Sequence, residues 1–281
     1  MNNEEIHDHL HDLLIEVKLS EAAIFVEKAC QNNEFNANFQ GAWGDTVLMI
    51  ACGKKGAIDS VASLLKWGCD VNIKNNYGCS ALMWALAADN FDIADLLLQN
   101  GADPFIESNR GETSLSIACS KENSKFVRLF LREFRTRNPF TYLLNNALGD
   151  AIVAGNIEIV ELLLAEGAEI NSLHQFCDWE NNQGLLSPIG MTPTKLQIAI
   201  INNDIEMVKY LLSKNAEINQ CGVNGDTAIA TALAQSTPNF EIIKFLINSG
   251  ADLGIKNDDD EDAYAVDSNN NSVLRGIGQG K

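Results

Sequence analysis

The residue types best suited to chemistry are scattered along this chain, and none of them completes a reaction centre. His174 and Cys177-Asp178 fall together within residues 172–189. A cysteine beside a histidine can act as a thiolate nucleophile once the imidazole takes its proton. Such a site also needs donors for an oxyanion and a third group to orient the base, and no residues at recognisable spacing supply them. His7, His9 and His11 are the next candidates, and on a helix only His7 and His11 share a face. Zinc needs at least three protein ligands, and nothing nearby offers the rest. The run Asp258-Asp259-Asp260-Glu261-Asp262 lacks the glycine and the closing glutamate of a calcium loop and reads as a solvated tail. Cys30, Cys52, Cys69, Cys79, Cys119, Cys177 and Cys221 are odd in number and form no CxxC pair, which suits reduced thiols better than a disulfide framework. The sequence thus reads as non-enzymatic, with no metal and no cofactor. The alternative is a catalytic or small-molecule-binding activity housed in residues 172–189.

The elements that must position any functional side chain recur along the chain. Residues 78–103 read as a short apolar helix (80–88), a polar break at Asp89-Asn90, and a second helix (91–99) stopped at Gly101. A glycine just past a helix accepts the left-handed conformation that ends it. The first helix is opened again by Gly44-Asp45-Thr46, Gly111-Glu112-Thr113 and Gly225-Asp226-Thr227. The second returns as VASLLKWGCDVN, IADLLLQNGADP, IVELLLAEGAEIN, MVKYLLSKNAEIN and IIKFLINSGADL. From Gly78 to Gly111 is 33 residues, as is Gly68 to Gly101. That period, with its G-x-T and L-L-x-x-G-A-D signatures, resembles the ankyrin repeat. The resemblance implies an all-α solenoid of paired antiparallel helices joined by short hairpin loops, in which each repeat packs only on its neighbours.

Three segments follow. Residues 1–38 read as an N-terminal helical cap, with Ile6, Leu10, Leu13, Leu14 and Val17 at helical spacing. Residues 39–253 hold about six repeats, and 254–281 a C-terminal cap (a worn helix near 263–266) with a disordered acidic tail. Some irregularities are visible. Phe134 stands where the third repeat should have its stop glycine, so that helix is expected to continue to Asn138-Pro139. The fourth repeat, TYLLNNALGDAI, lacks the G-x-T turn, and residues 172–189 form an insertion after it. In the fifth, Gly190-Met191-Thr192-Pro193 and Thr194 offer competing frames for the opening turn.

The resemblance implies a module that binds a protein partner on a concave surface built from hairpin tips and first helices. The residues before each turn glycine are Trp43, Tyr77, Arg110 and, in the sixth repeat, Asn224. Trp, Tyr and Arg are the types most enriched among residues that carry binding energy. Packing of neighbouring tips on one another is the competing explanation. Asp45, Lys54, Ala87, Ala88, Glu112 and Lys121 are expected along the same face. Phe176 and Trp179 in the insertion are a second contact candidate, against the alternative that they fold back over the worn fourth turn. Lys125, Arg128, Arg132 and Arg135 share one helix side, to dock an acidic group or to pair with neighbouring acids. Asn72, Asn171 and Asn219 each follow a leucine at one fixed distance (Leu64, Leu163 and Leu211), which resembles the preference of the asparaginyl hydroxylase of animal ankyrin repeats. Closing the turn by side-chain hydrogen bonds explains the same asparagines.

Composition narrows the partner class. Lys and Arg number 20 against 38 Asp and Glu, a formal charge of −18. A field of that sign repels nucleic acid and anionic lipid, leaving a protein partner. No apolar run is long enough for a membrane span, and the charged residues 1–20 lack the apolar core of a signal peptide. A cytoplasmic monomer is expected. The irregular, Asn-rich repeats also resemble ankyrin proteins that intracellular bacteria deliver into host cells, which would place the chain in host cytosol.

Overall fold

In the computed structural model the described residues are 2–15, 19–31, 36–137, 141–173, 192–270 and 273–274. Their regular structure is helical, with one isolated bridge between Gln40 and Thr46. Two compact units are present, residues 1–126 and 127–281. The first contains the pair α1 (Asn3–Ile15) and α2 (Leu19–Gln31), then α3 (Val47–Cys52), α4 (Ile58–Lys66), α5 (Ala81–Ala87), α6 (Phe91–Gln99) and α7 (Ser114–Ser120). The division falls inside α8 (Ser124–Arg137). The second unit continues with α9 (Thr141–Val153), α10 (Ile157–Ala165), α11 (Lys195–Ile201), α12 (Ile205–Ser213), α13 (Ala228–Ala234), α14 (Phe240–Asn248) and α15 (Ala263–Asn270).

The first helices α3, α7 and α13 each start where a threonine replaces the missing backbone partner. The hydroxyls of Thr46, Thr113 and Thr227 accept from the amides of Met49, Ser116 and Ala230 at 3.3, 3.2 and 3.5 Å. These are the threonines of the G-x-T signature, so the motif is a helix cap made visible in sequence. The fifth repeat uses Thr194. Its hydroxyl accepts from Gln197 N at 3.1 Å, and Gln197 Oε1 accepts from Thr194 N at 2.9 Å, a reciprocal capping box. The frame that opens at Thr194 is therefore the one the chain adopts.

Every residue of α3 is buried. A helix this short that is apolar all round has neighbours on all sides. The second helices bury one face only, as α6 does with Ile93, Ala94 and Leu97. At its end Gly101 takes φ +86°, and Ala102 N donates to Leu97 O at 3.0 Å. The third repeat has no glycine at the equivalent point, and α8 runs on to Arg137. The last helix, α15, reaches Asn270 and is longer than the sequence suggested.

Successive hairpins are tied through their backbones. Asn76 N donates to Trp43 O at 3.1 Å, Asn109 N to Tyr77 O at 2.9 Å and, in the second unit, Asp258 N to Asn224 O at 2.9 Å. The second helices add ion pairs, with Lys66 against Glu27 at 3.1 Å and Lys214 against Glu161 at 3.4 Å. Exposed pairs of this kind contribute little each. Burial carries most of the stability, and Leu97 is fully buried. Leu97→Ala is expected to lower stability by about 2–5 kcal/mol, read from urea unfolding, because the stack closes only partly around the lost methyls. A near-neutral result would place Leu97 outside the core.

Candidate functional site

Two of the exposed aromatic side chains of the first unit stand on its hairpin tips. Trp43 is 65% exposed and Tyr77 54%. Their rings lie nearly parallel, at an interplanar angle of 19° and a centroid separation of 6.5 Å. The backbone beneath them is fixed. Asn75 Oδ1 accepts from Tyr77 N at 3.0 Å and from Cys79 N at 2.9 Å, and Asn75 Nδ2 donates to Asp45 Oδ1 at 2.8 Å. Gly78 adopts φ +80°, and a Cβ there would sit 2.6 Å from Asn109 N. Only glycine allows both the turn and the close approach of the next hairpin. At the third tip Arg110 is exposed, and Ser108 Oγ accepts from the amides of Arg110 and Glu112 at 3.2 and 3.1 Å.

The other residues expected on that face divide into two groups. Asp45 and Glu112 belong to the hairpins, but Glu112 is buried at 8% exposure, a correction to its expected place at the surface. Burial raises its carboxyl pKa, with Arg110 and Ser108 pulling the other way. Lys54, Ala87, Ala88 and Lys121 lie at the far ends of α3, α5 and α7, all half-buried. A seven-residue helix such as α5 is about 10 Å long, so these four are a helix length away from the tips. Phe176 and Trp179, like His174 and Cys177-Asp178, lie outside the described residues.

The asparagines are engaged between repeats. Asn72 Oδ1 accepts from Asp103 N at 2.8 Å while its Nδ2 donates to Gly101 O at 3.0 Å. Asn171 Oδ1 accepts from Glu217 N, and Asn219 Oδ1 from Asp252 N, both at 2.9 Å. Three members of the basic row pair with acids. Lys125 meets Asp95, Arg135 meets Glu166, and Arg128 lies 2.7 Å from Glu158. His7 is buried with Nε2 3.1 Å from Asp45 O, His9 packs edge-on to Phe25, and His11 lies beside Asp12. Among the described residues no three acidic, histidine or cysteine side chains converge as metal ligands would. Cys52, Cys69, Cys79 and Cys119 are buried and form no disulfide among the described residues. Burial pushes the Cys52 thiol well above its usual range and Cys79 up to about 11, so neither is a ready nucleophile.

Lys195 is the residue that sequence reading missed. It is the first residue of α11, fully buried, and its Nζ makes no hydrogen bond among the described residues. The signal was present. The Thr194 frame puts Lys195 where the other first helices carry Val47, Ala81, Ser114 and Ala228, all buried.

The architecture is thus a series of helix pairs joined by capped hairpins with a 33-residue period, and comparison with known proteins names it. The family model for ankyrin repeats matches three times, over residues 18–108, 100–174 and 173–257. The chain belongs to the ankyrin-repeat family, an interaction module rather than a catalytic fold. It is similar to the crystal structure of the ankyrin repeat domain of Bcl-3, described as a unique member of the IkappaB protein family. The TM-score is 0.59 at 25% identity, over 85% of this chain and 100% of that one. It is 28% identical over 148 residues to a Fowlpox virus (strain NVSL) protein named for its ankyrin repeats, covering 52% of this chain and 33% of that protein. It is also 39% identical over 75 residues to the human neurogenic locus notch homolog protein 1, covering 27% of this chain and 3% of that one. The chain thus spans a third or less of these two curated relatives. No helix among the described residues is long and apolar enough to cross a membrane.

The buried amine of Lys195 makes a prediction about stability. Burial lowers its pKa from 10.5 to about 8, with the Asp150 carboxylate on α9 pulling in the other direction. A group that the folded state holds below its unfolded pKa gains stability as pH rises between the two values, and the penalty is complete below the lower one. Lys195→Met is therefore expected to raise stability at pH 7 by about 3 kcal/mol, an advantage that narrows as pH climbs from about 8 towards 10.5. Urea unfolding of both proteins at pH 7 and pH 9.5 checks this, and a pH-independent difference would contradict it.

Proposed function

We propose that this chain is a non-enzymatic adaptor or inhibitor that binds a protein partner through the hairpin tips of its first unit, with Trp43 and Tyr77 as the principal anchors. The observation that carries this reading is two large aromatic rings, each more than half exposed, on tips whose backbones are locked from below. An aromatic side chain held on a fixed backbone loses little entropy on binding, so its burial converts efficiently into affinity. Arg110 at the next tip supplies a charged donor at the edge of the same row. The formal charge of −18 argues against nucleic acid or an acidic membrane as the partner.

The stacking of Trp43 on Tyr77 favours this reading over mutual packing alone. Neighbouring rings that served only each other would hide their faces, yet both remain mostly open to water. The contact ridge is preformed. Lys54, Ala87, Ala88 and Lys121, a helix length away, are left to a different part of the surface.

Tyr77→Ala is expected to weaken partner binding by about 1–3 kcal/mol, and Trp43→Ala by a similar amount, with little change in melting temperature. Calorimetric titration against a partner purified from eukaryotic lysate measures the first, and thermal unfolding the second. Unchanged affinity in the folded double variant would move the contact surface elsewhere.

A further inference from the structure

The helix–turn edge of the first unit, at the opposite ends of the helices from the tips, holds a cleft of about 230 Å³. Its origin is a difference in chain length. The linker between α3 and α4 is residues 53–57, whereas α5 and α6 are joined by residues 88–90, two fewer. The longer linker carries Gly56 at φ +81°. The cleft lies between it and the neighbouring turn, walled by Ile58, Phe91 and Ile93, with Asp89 and Asp92 also lining it. A parallel case occurs in the second unit, where residues 235–239 again make a linker two residues longer and again border a cleft, of about 80 Å³. The side chains there include Asn203, Gln235, Thr237 and Asn239, with no carboxylate. Linker length opens such a cleft, and the local residues decide its charge.

The first unit's cleft is preorganised and electrically biased. Asn90 Nδ2 donates to Cys52 O at 2.7 Å, which ties the α5–α6 turn to the end of α3. The Phe91 ring packs on Phe126, with the ring centroids 5.7 Å apart at an interplanar angle of 36°. Ile58 is 39% exposed, more than an isoleucine in a closed core would be. Asp89 lies 3.9 Å from Lys121 Nζ, too far for a hydrogen bond. Asp92 is exposed and has no partner among the described residues. A neutral apolar occupant would strip water from these carboxylates without replacing it, and an anion would be repelled.

We infer that this cleft is a second docking site, which receives an arginine side chain from a protein partner. The aliphatic stem lies along Ile58 and Ile93, the guanidinium plane stacks on Phe91, and its donors reach Asp89 and Asp92. Arginine suits the site better than lysine because its planar head both stacks and forks to a carboxylate. The site is independent of Trp43 and Tyr77, so it stands or falls separately from the tips.

The test is a titration of the full ¹⁵N-labelled chain with acetyl-Gly-Arg-Gly-amide, followed by amide chemical shifts at physiological salt, with the lysine and citrulline tripeptides alongside. The expected result is saturable shifts at Gly56, Asp89, Phe91 and Asp92, larger for arginine than for lysine and absent for citrulline. Asp92→Asn should weaken the arginine peptide about 5-fold or more, as should Phe91→Leu, which keeps the charge and removes the ring. Shifts spread over the acidic surface and unaltered in both variants would overturn the proposal, as would an equal response to citrulline or no response to arginine. The spectrum away from the cleft reports whether each variant is folded.

Discussion

One hydrogen-bonded joint, repeated between neighbouring hairpins, is what every other feature of this protein depends on. A stacked-repeat chain has no central core, so each boundary must be satisfied by the residues at that boundary. Here an asparagine side chain reaches to the next repeat and receives its backbone amide. Asn38 takes Asp70 N at 2.8 Å, as Asn72 takes Asp103 N, and Asn219 takes Asp252 N at 2.9 Å. An amide group can do this because it offers an acceptor and two donors on one short arm. Asn72 uses both functions, towards Asp103 and Gly101.

The joint survives where the sequence signature fails. The fourth repeat has no G-x-T turn, and its α9 simply begins earlier, at Thr141. Asn145, on that helix, accepts from Glu169 N at 2.7 Å and so closes the hairpin from a different position. Across the segment containing the insertion, Asn171 still takes Glu217 N, 46 residues on rather than about 32. That is how a nearest-neighbour architecture tolerates irregular repeats: a local loss needs only a local substitute.

This locality also decides what could be read from the sequence. Helix positions, threonine caps and the run-on of α8 to Arg137 were legible because each is set by residues within a few positions of one another. The choice of Thr194 was legible in the apolar register of Leu196, Ile198, Ala199 and Ile200, while the bond that fixes it needed the Gln197 side chain in three dimensions. Glu112 was misplaced because a charge in a hairpin normally marks surface, and its burial follows from the close approach of neighbouring hairpins. Lys195 was overlooked because sequence shows a lysine at a helix start without showing what encloses it. The two longer linkers, 53–57 and 235–239, were countable, but the clefts beside them depend on how the neighbouring turns pack.

The division of labour within a repeat follows from the same joint. Backbone and asparagine groups that bind the next hairpin are committed, so altering them costs structure before it alters recognition. Side chains that point away from the joint carry no such cost. Trp43 and Tyr77 are placed one residue before their turn glycines, where the backbone is engaged (Trp43 O by Asn76 N, Tyr77 N by Asn75 Oδ1) and the rings stay more than half exposed. Asp92 is similar, on the first turn of α6 where a carboxylate suits the positive end of the helix and still faces water. Lys195 shows the opposite condition. Its amine is enclosed at a first-helix position that elsewhere carries small or aliphatic residues, and Asp150 only partly offsets the loss of water. That penalty falls on one boundary alone, whereas recognition can reside in side chains that the stack itself does not need.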